Sequence, residues 1–258
     1  MDPQWIRLNR VDSTNNWISQ YLKREPSPVE LVVIADHQEY GRGQGNNRWV
    51  SGEGENLLMS LLLFPAFLSA GQQFHLSRIA SLAIADYLGS AGVDSMIKWP
   101  NDIVTRSGKI AGILIENGVR GKKLTHTIIG IGLNLNQVEF PQFRIPATSF
   151  LLETGRKVVP EEAAARLAGC LAGWYEVIRE GDSGKLETAY LERLYGREKT
   201  VTLEARIDQP GETGPGRPGD QPEYTGILRG VNAYGELMLE LPGGSSRAFS
   251  SGVVRMKP

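Results

Sequence analysis

One short stretch of this chain concentrates groups suited to holding an anion: Gly41-Arg42-Gly43-Gln44-Gly45-Asn46-Asn47-Arg48-Trp49. Successive glycines let backbone N–H groups come close to a negative charge, and the guanidiniums of Arg42 and Arg48 can grip a phosphate in bidentate fashion. Taken alone, the same composition also suits a plain connection between elements. It is not a Walker A loop, because no Gly-Lys-Ser/Thr follows, and its spacing does not fit a dinucleotide fingerprint.

Other segments carry chemistry of the same kind. Lys98-Trp99-Pro100-Asn101-Asp102 sits between two apolar runs, and Lys109 follows seven residues after Asp102, so a turn would gather these polar groups; Pro-Asn-Asp is equally good turn chemistry with Trp99 packed on the core. Gly130-Ile131-Gly132-Leu133-Asn134 ends an apolar run with two residues lacking side chains, where either a ligand lies against the backbone or a bulge or tight packing is needed. Leu135 stands where a third glycine would be required for a Rossmann turn. Asp12-Ser13-Thr14-Asn15 offers short donors and acceptors ahead of the apolar-periodic Trp17 to Leu22, and reads first as a helix cap. Gly181-Asp182-Ser183-Gly184 echoes a serine-protease signature, but no histidine stands in a fitting context.

These groups need a scaffold, and the apolar pattern supplies one. Leu31 to Asp36 and Asn56 to Phe64 are brief apolar runs expected to be buried strands flanking the glycine-rich segment. Gln72 to Leu88 has helical spacing and stops at Gly89 and Gly92. Ser95 to Trp99, Ile103 to Thr105, Ile110 to Glu116 and Thr125 to Leu133 are strands joined by turns at Arg106-Ser107-Gly108 and Arg120-Gly121-Lys122, so antiparallel pairing follows. Glu161 to Glu180, opened by Pro160 and closed at Gly181, is a helix, and Lys185 to Leu194 another. The first part is thus α+β with a mixed, largely antiparallel sheet. Beyond Gly196 the composition changes to short strands, Thr200 to Ala205, Tyr224 to Gly230, Glu236 to Leu241 and Ser246 to Phe249, expected to form a small β-barrel. Residues 207–222, broken by four prolines and four glycines, read as a mobile loop. The expected division is 1–195 and 196–258.

Composition narrows the function. With 28 Lys and Arg against 29 Asp and Glu there is no basic field to bind a nucleic-acid backbone. Cys170 is the single cysteine, and His37, His75 and His126 are scattered without metal-ligand spacing, so a reduced, cytoplasmic protein is expected. The longest apolar runs fall far short of the roughly 20 residues that span a bilayer, and no signal pattern opens the chain.

Taken together, Asp12-Ser13-Thr14-Asn15, Gln38 ahead of Gly41-Arg42-Gly43, Lys98 to Asp102, Lys109-Ile110-Ala111-Gly112-Ile113-Leu114-Ile115-Glu116 and Gly130 to Asn134 occur in the order and spacing of biotin protein ligases. The chain resembles that family strongly from Val11 to Asn136 and more weakly from Tyr224 to Val254. The resemblance implies a catalytic domain like that of class II aminoacyl-tRNA synthetases, with a C-terminal SH3-like barrel. It also implies a reaction: the biotin carboxylate joins the α-phosphate of ATP, pyrophosphate leaves, and the acyl group passes to a lysine of a biotin carboxyl carrier protein domain. Two anions must meet, so fixed cations in a site closed to water are required. Arg42 and Lys109 match the family's catalytic cations, and Mg²⁺ accompanying ATP would neutralise the pyrophosphate. By the same resemblance Ser13, Thr14, Asn15, Gln38, Gly41, Arg42, Gly43, Gln44 and Lys109 surround biotin, and Gly112, Gly130 and Gly132 let its fused ring lie against strand backbone. Arg42, Arg48, Trp49, Asn101, Asp102 and Asn134 fall on the nucleotide side. No residue is assigned to the metal.

Two departures matter. Gln44 and Asn47 stand where many family members carry arginine, which reduces or displaces positive charge over the adenylate. The short stretch ahead of Ser13 leaves no room for a winged-helix DNA-binding domain, so a ligase that is not also a repressor is expected, a monomer or homodimer with neither nucleic acid nor membrane as partner. Two rivals remain: a lipoate or octanoate ligase of similar architecture, and a non-catalytic module that binds biotin or its adenylate.

Overall fold

The computed structural model describes residues 3–45, 47–205 and 222–257. Seven strands form the main sheet: β1 (Gln4–Val11), β2 (Leu31–Gln38), β3 (Leu57–Leu63), β4 (Met96–Lys98), β5 (Asp102–Val104), β6 (Lys109–Arg120) and β7 (Lys123–Leu133), in the order β1-β2-β3-β7-β6-β5-β4. Only β1 and β2 are parallel, joined by α1 (Thr14–Arg24); every other neighbouring pair is antiparallel. The mixed, largely antiparallel sheet read from the sequence is therefore the sheet observed. β1 escaped that reading because it is an edge strand with alternating exposed positions and few apolar residues.

The twofold period of the strands decides where the site can lie. Along β3, Leu57, Met59, Leu61 and Leu63 enter the large core beneath α2 (Phe74–Ser90) and α4 (Pro160–Arg179), together with Ile129, Ile131 and Leu133 of β7. The alternate residues face the other way. Leu62 and Ile128 pack there against Ile18 of α1, forming a second, smaller core with Leu31 and Val33. Register then aligns Gly112 with Gly132 and Leu58, and Leu114 with Gly130 and Ser60, on this second face. Three glycines in two adjacent rows leave the sheet bare beside the start of α1, and that bare patch is the floor of the cleft.

α2 is buried nearly all round, and truncating a core leucine such as Leu82 is of the type that costs about 2–5 kcal/mol. α3 (Phe150–Thr154), capped by the Ser149 hydroxyl and closed by Gly155 at φ +70°, is a single turn too short to register as periodicity. α5 (Ser183–Glu192) follows α4. A second sheet, order β11-β10-β9-β8-β12, comprises β8 (Thr200–Ala205), β9 (Glu223–Val231), β10 (Leu237–Glu240), β11 (Ser246–Phe249) and β12 (Val254–Met256), all antiparallel. Its inner residues Leu203, Leu228, Leu239 and Phe249 belong to the same core as α2. Two side chains tie it to the first part of the fold: the indole of Trp99, just after β4, donates to the Gly235 carbonyl (2.9 Å), and the buried guanidinium of Arg78 on α2 donates to the carbonyls of Val231 and Asn232 (3.3 Å each). Gly235 has φ +86°, and a Cβ there would stand 2.5 Å from the Phe74 ring, so the turn demands glycine on both counts. The loop expected at 207–222 lies, except for its last residue, outside the described residues.

Candidate active site

Above the glycine floor lies a cleft of about 360 Å³. Ser13 occupies the N-cap position of α1, yet its side chain makes no capping hydrogen bond; the Thr14 N–H donates instead to the Gln38 side-chain carbonyl (2.8 Å) from β2. The helix start is thus satisfied by a partner remote in sequence, and Ser13 lines the cleft. A chain of polar contacts follows. Thr14 and Ser60 hydroxyls are 2.6 Å apart, Ser60 donates to Asn15 Oδ1 (2.6 Å), and Asn15 Nδ2 donates to Glu116 Oε2 (2.7 Å). A carboxylate only accepts, so Glu116 fixes the Asn15 amide and Asn15 fixes the Ser60 proton, while the single Thr14 hydroxyl proton has two acceptors in reach, Ser60 (2.6 Å) and the Gln38 carbonyl (3.1 Å). With its oxygen engaged by Thr14, Gln38 presents its amide N–H₂ as the remaining donor.

The three floor glycines have specific neighbours. A Cβ on Gly130 would stand 2.3 Å from Asn15 Oδ1; on Gly132 it would stand 2.3 Å from the Trp49 indole, and on Gly112 3.0 Å from the same ring. All three line the cleft, and in this structure the protein's own Asn15 amide and Trp49 indole stand over them.

The glycine-rich segment 41–49 is a small hairpin. Gly43 N–H donates to Asn47 O (2.8 Å) and Trp49 N–H to Gly41 O (2.9 Å), with Arg42 and Arg48 bridged across it. A Cβ on Gly41 would meet the Trp49 carbonyl at 2.4 Å, which explains that glycine. The amides of Gly43 and Trp49 are thus engaged within the hairpin. Arg42 itself is held by Glu116 (2.9 Å) and Asn16 (2.8 Å), while Arg48 lies over the Tyr40 ring. Gln44 lines the cleft and also a neighbouring hollow of about 260 Å³.

Lys109 opens β6 and pairs with Asp102 (2.6 Å), its ammonium 5.6 Å from the centre of the Trp49 ring. Lys109, Asp102, Arg48 and Trp49 also wall a second cavity of about 430 Å³, bounded further by Asn134, Phe140 and Phe143. The Lys109–Asp102 pair and Trp49 thus border two adjoining cavities. Asn101 donates to the Ile113 carbonyl (2.8 Å) and ties the turn to β6; Asn134 donates to Thr148 O (2.9 Å) and braces the segment after β7.

Three cations of the cleft were given no role from sequence: Lys98, Arg144 and Arg255. Lys98 is 6% exposed and has no ion pair among the described residues; burial lowers its pKa, Asp102 partly offsets this, and Arg144 and Lys109 lower it further. Its place at the head of the Lys98-Trp99-Pro100-Asn101-Asp102 segment was the available signal. Arg144 and Arg255 had none, since both are defined by contacts with remote strands.

A sequence profile of the Biotin/lipoate A/B protein ligase family matches residues 8–134, the stretch that carries the glycine floor, the hairpin and Lys109. The chain is also 33% identical to a biotin–[acetyl-CoA-carboxylase] ligase of Paracoccus denitrificans, over 92% of this chain and 94% of that protein. It belongs to this ligase family. A biotin–[acetyl-CoA-carboxylase] ligase of Mycobacterium tuberculosis is 26% identical, over 97% of this chain and 89% of its own. Among solved structures, the biotin protein ligase from Aquifex aeolicus in complex with biotin and ATP superposes with a TM-score of 0.76 at 25% identity, covering 98% of both chains.

Proposed function

We propose that this chain is an ATP-dependent biotin protein ligase: it activates biotin to biotinyl-5′-AMP and transfers the acyl group to a lysine of a biotin carboxyl carrier protein domain. The observation that carries this reading is the pair of adjoining cavities sharing a Lys109–Asp102 border. Biotin fits the first, where Ser13, Thr14, Asn15 and Gln38 present a fixed donor–acceptor pattern; the nucleotide fits the second, beside Arg48, Trp49, Asp102 and Asn134. The biotin carboxylate and the α-phosphate then meet at Lys109, whose ammonium neutralises the charge that builds up as the carboxylate oxygen bonds to phosphorus and pyrophosphate departs. In the second step the carrier lysine attacks the acyl carbon and AMP leaves.

Mg²⁺ enters as part of the nucleotide substrate. Among the described residues no cluster of three or more His, Cys, Asp or Glu could hold a metal, which suits an ion carried mainly by phosphate oxygens. Residues 1–195 would carry both substrates and 196–258 support them. No described helix is long and apolar enough to cross a membrane. The reading is of a cytoplasmic enzyme whose macromolecular partner is the carrier domain.

The test is to mix the chain with biotin, ATP and an apo carrier domain, measuring pyrophosphate release and mass gain on one lysine. Both are expected, with lipoate and octanoate far poorer substrates. Lys109→Ala should slow adenylation roughly 10²–10³-fold while biotin still binds. Carrier labelling with lipoate in preference to biotin would favour the family's other branch, and biotin binding without pyrophosphate release would indicate a binding module.

A further inference from the structure

We propose that Arg144, oriented by Glu204 of β8, is a nucleotide-binding residue whose guanidinium grips the phosphates and offsets the neutral side chains at Gln44 and Asn47. The inference rests on the function proposed above and adds a residue and a positioning partner to it.

Arg144 lies in the segment between β7 and α3. That segment is clamped to the start of β6, since Lys109 N–H donates to Pro146 O (2.7 Å) and Thr148 N–H donates to Lys109 O (3.0 Å). Arg144 therefore moves with the lysine at the border between the two cavities, and its side chain lines both of them. One arm of its guanidinium donates to Glu204 (3.0 Å) and the other to the Met256 carbonyl (3.3 Å), so the second sheet orients it. Glu204 is itself mostly buried and also accepts from Arg255. One carboxylate between two guanidiniums leaves one positive charge in excess at this wall. Each guanidinium has five donors in a planar fork, so Arg144 retains N–H groups for a second anion after meeting Glu204 and Met256.

The hairpin supplies only part of that charge, through Arg48, which lines both cavities. Arg42 is committed to Glu116, Arg48 lies over Tyr40, and Gln44 and Asn47 are neutral amides. A nucleoside triphosphate entering the second cavity would find Lys109 and Arg144 along one wall. Glu204 touches no part of that space as described and acts through Arg144, which makes it a positioning residue.

The experiment measures ATP affinity by calorimetry and the KM for ATP in pyrophosphate release, with biotin affinity and Tm as companion readouts. Arg144→Ala is expected to raise both the ATP dissociation constant and the KM about tenfold, the usual scale for one charge-assisted contact, with biotin affinity and Tm little changed. Adding Gln44→Arg should recover most of that loss by returning a cation to the same phosphates. Glu204→Gln should weaken ATP binding in the same direction, and its effect should largely vanish in the Arg144→Ala background, because the two act as one unit. Should Arg144→Ala fail to fold, Arg144→Lys keeps the stem and charge but loses the fork, and carries the same expectation at smaller size. An unchanged ATP affinity in a folded variant would overturn the proposal. So would equal losses for biotin and ATP without rescue by Gln44→Arg, which would make Arg144 a brace. If the wild-type chain bound ATP and Arg144→Ala did not, yet no carrier lysine were labelled, the ligase reading would fail while the assignment of Arg144 stood.

Discussion

Replacing Lys98 by methionine should make the protein more stable and less active at once. Methionine keeps the volume of the lysine stem, so packing changes little. The ammonium it removes is buried, has no ion pair among the described residues, and shares its surroundings with Lys109 and Arg144. A desolvated cation in that setting costs the fold a few kcal/mol. Two attractions oppose this: Asp102 nearby, and the Tyr195 ring 5.7 Å away, the latter worth about 0.5–1 kcal/mol. Asp102 keeps Lys109 when Lys98 is lost, so no carboxylate is stranded. The balance favours the variant by about 1–2 kcal/mol, or roughly 2–4 °C in Tm for a chain of this size. Adenylation, by contrast, loses a cation lining the cleft proposed to hold the biotin carboxylate and should slow about 10²-fold. Differential scanning calorimetry and pyrophosphate release on the same preparation make the test, with Lys98→Arg as the charge-retaining control. A lower Tm together with a normal rate would refute the reasoning and make Lys98 a packing residue.

Gly130→Ala should drive its methyl into Asn15, breaking the Ser60–Asn15–Glu116 chain; at least a tenfold loss of biotin affinity and about 1–3 kcal/mol of stability are expected, and unchanged biotin affinity by calorimetry would show that Asn15 does not orient the ligand. On the acid side, burial, then the neighbouring Arg78, lower the pKa of His75 against a smaller pull from Glu187, and burial lowers that of His126. Both imidazoles are favoured neutral in the fold, so their contribution is complete above the ordinary value near 6.5 and is lost as pH falls below it towards the depressed folded values. Tm should therefore drop between pH 7.5 and 5, and less steeply in His75→Gln; an identical slope in that variant would exclude His75 as a source.

How much of this could be read beforehand depends on whether the cause is local. The strands from Leu31 to Leu133 announce themselves because each carries its own apolar run, and the hairpin turns are short. Gly41, Gly130 and Gly132 were recognisable as sites of close approach, but not what approaches: Trp49 and Asn15 reach them from other elements. The helix-cap reading of Ser13 shows the same limit. Its position was right and its chemistry was not, since Gln38 takes over the backbone donor. β12 and the paired role of Glu204 stayed hidden because a three-residue strand has no period and an ion pair across many residues of sequence has no local signature.

The arrangement of charge in the cleft follows a rule that links these residues. Of its six cations, Arg42, Lys109, Arg144 and Arg255 are each held by a carboxylate, on Glu116, Asp102 or Glu204, and the other two, Lys98 and Arg48, lie near tyrosine rings. Six unpaired cations this close would repel one another strongly enough to pry the cleft apart; three carboxylates remove half of that charge and fix the geometry. An incoming carboxylate or phosphate then competes with a carboxylate already in place and does not have to order a free side chain, so little conformational entropy is lost at binding. Two of the three carboxylates sit on β5 and β6 beside the glycine floor, but the third belongs to β8. The second sheet thus completes the electrostatics of a site whose backbone is built by the first, and a fragment ending before Thr200 would lose Glu204 and Arg255 and leave Arg144 without a carboxylate to orient it.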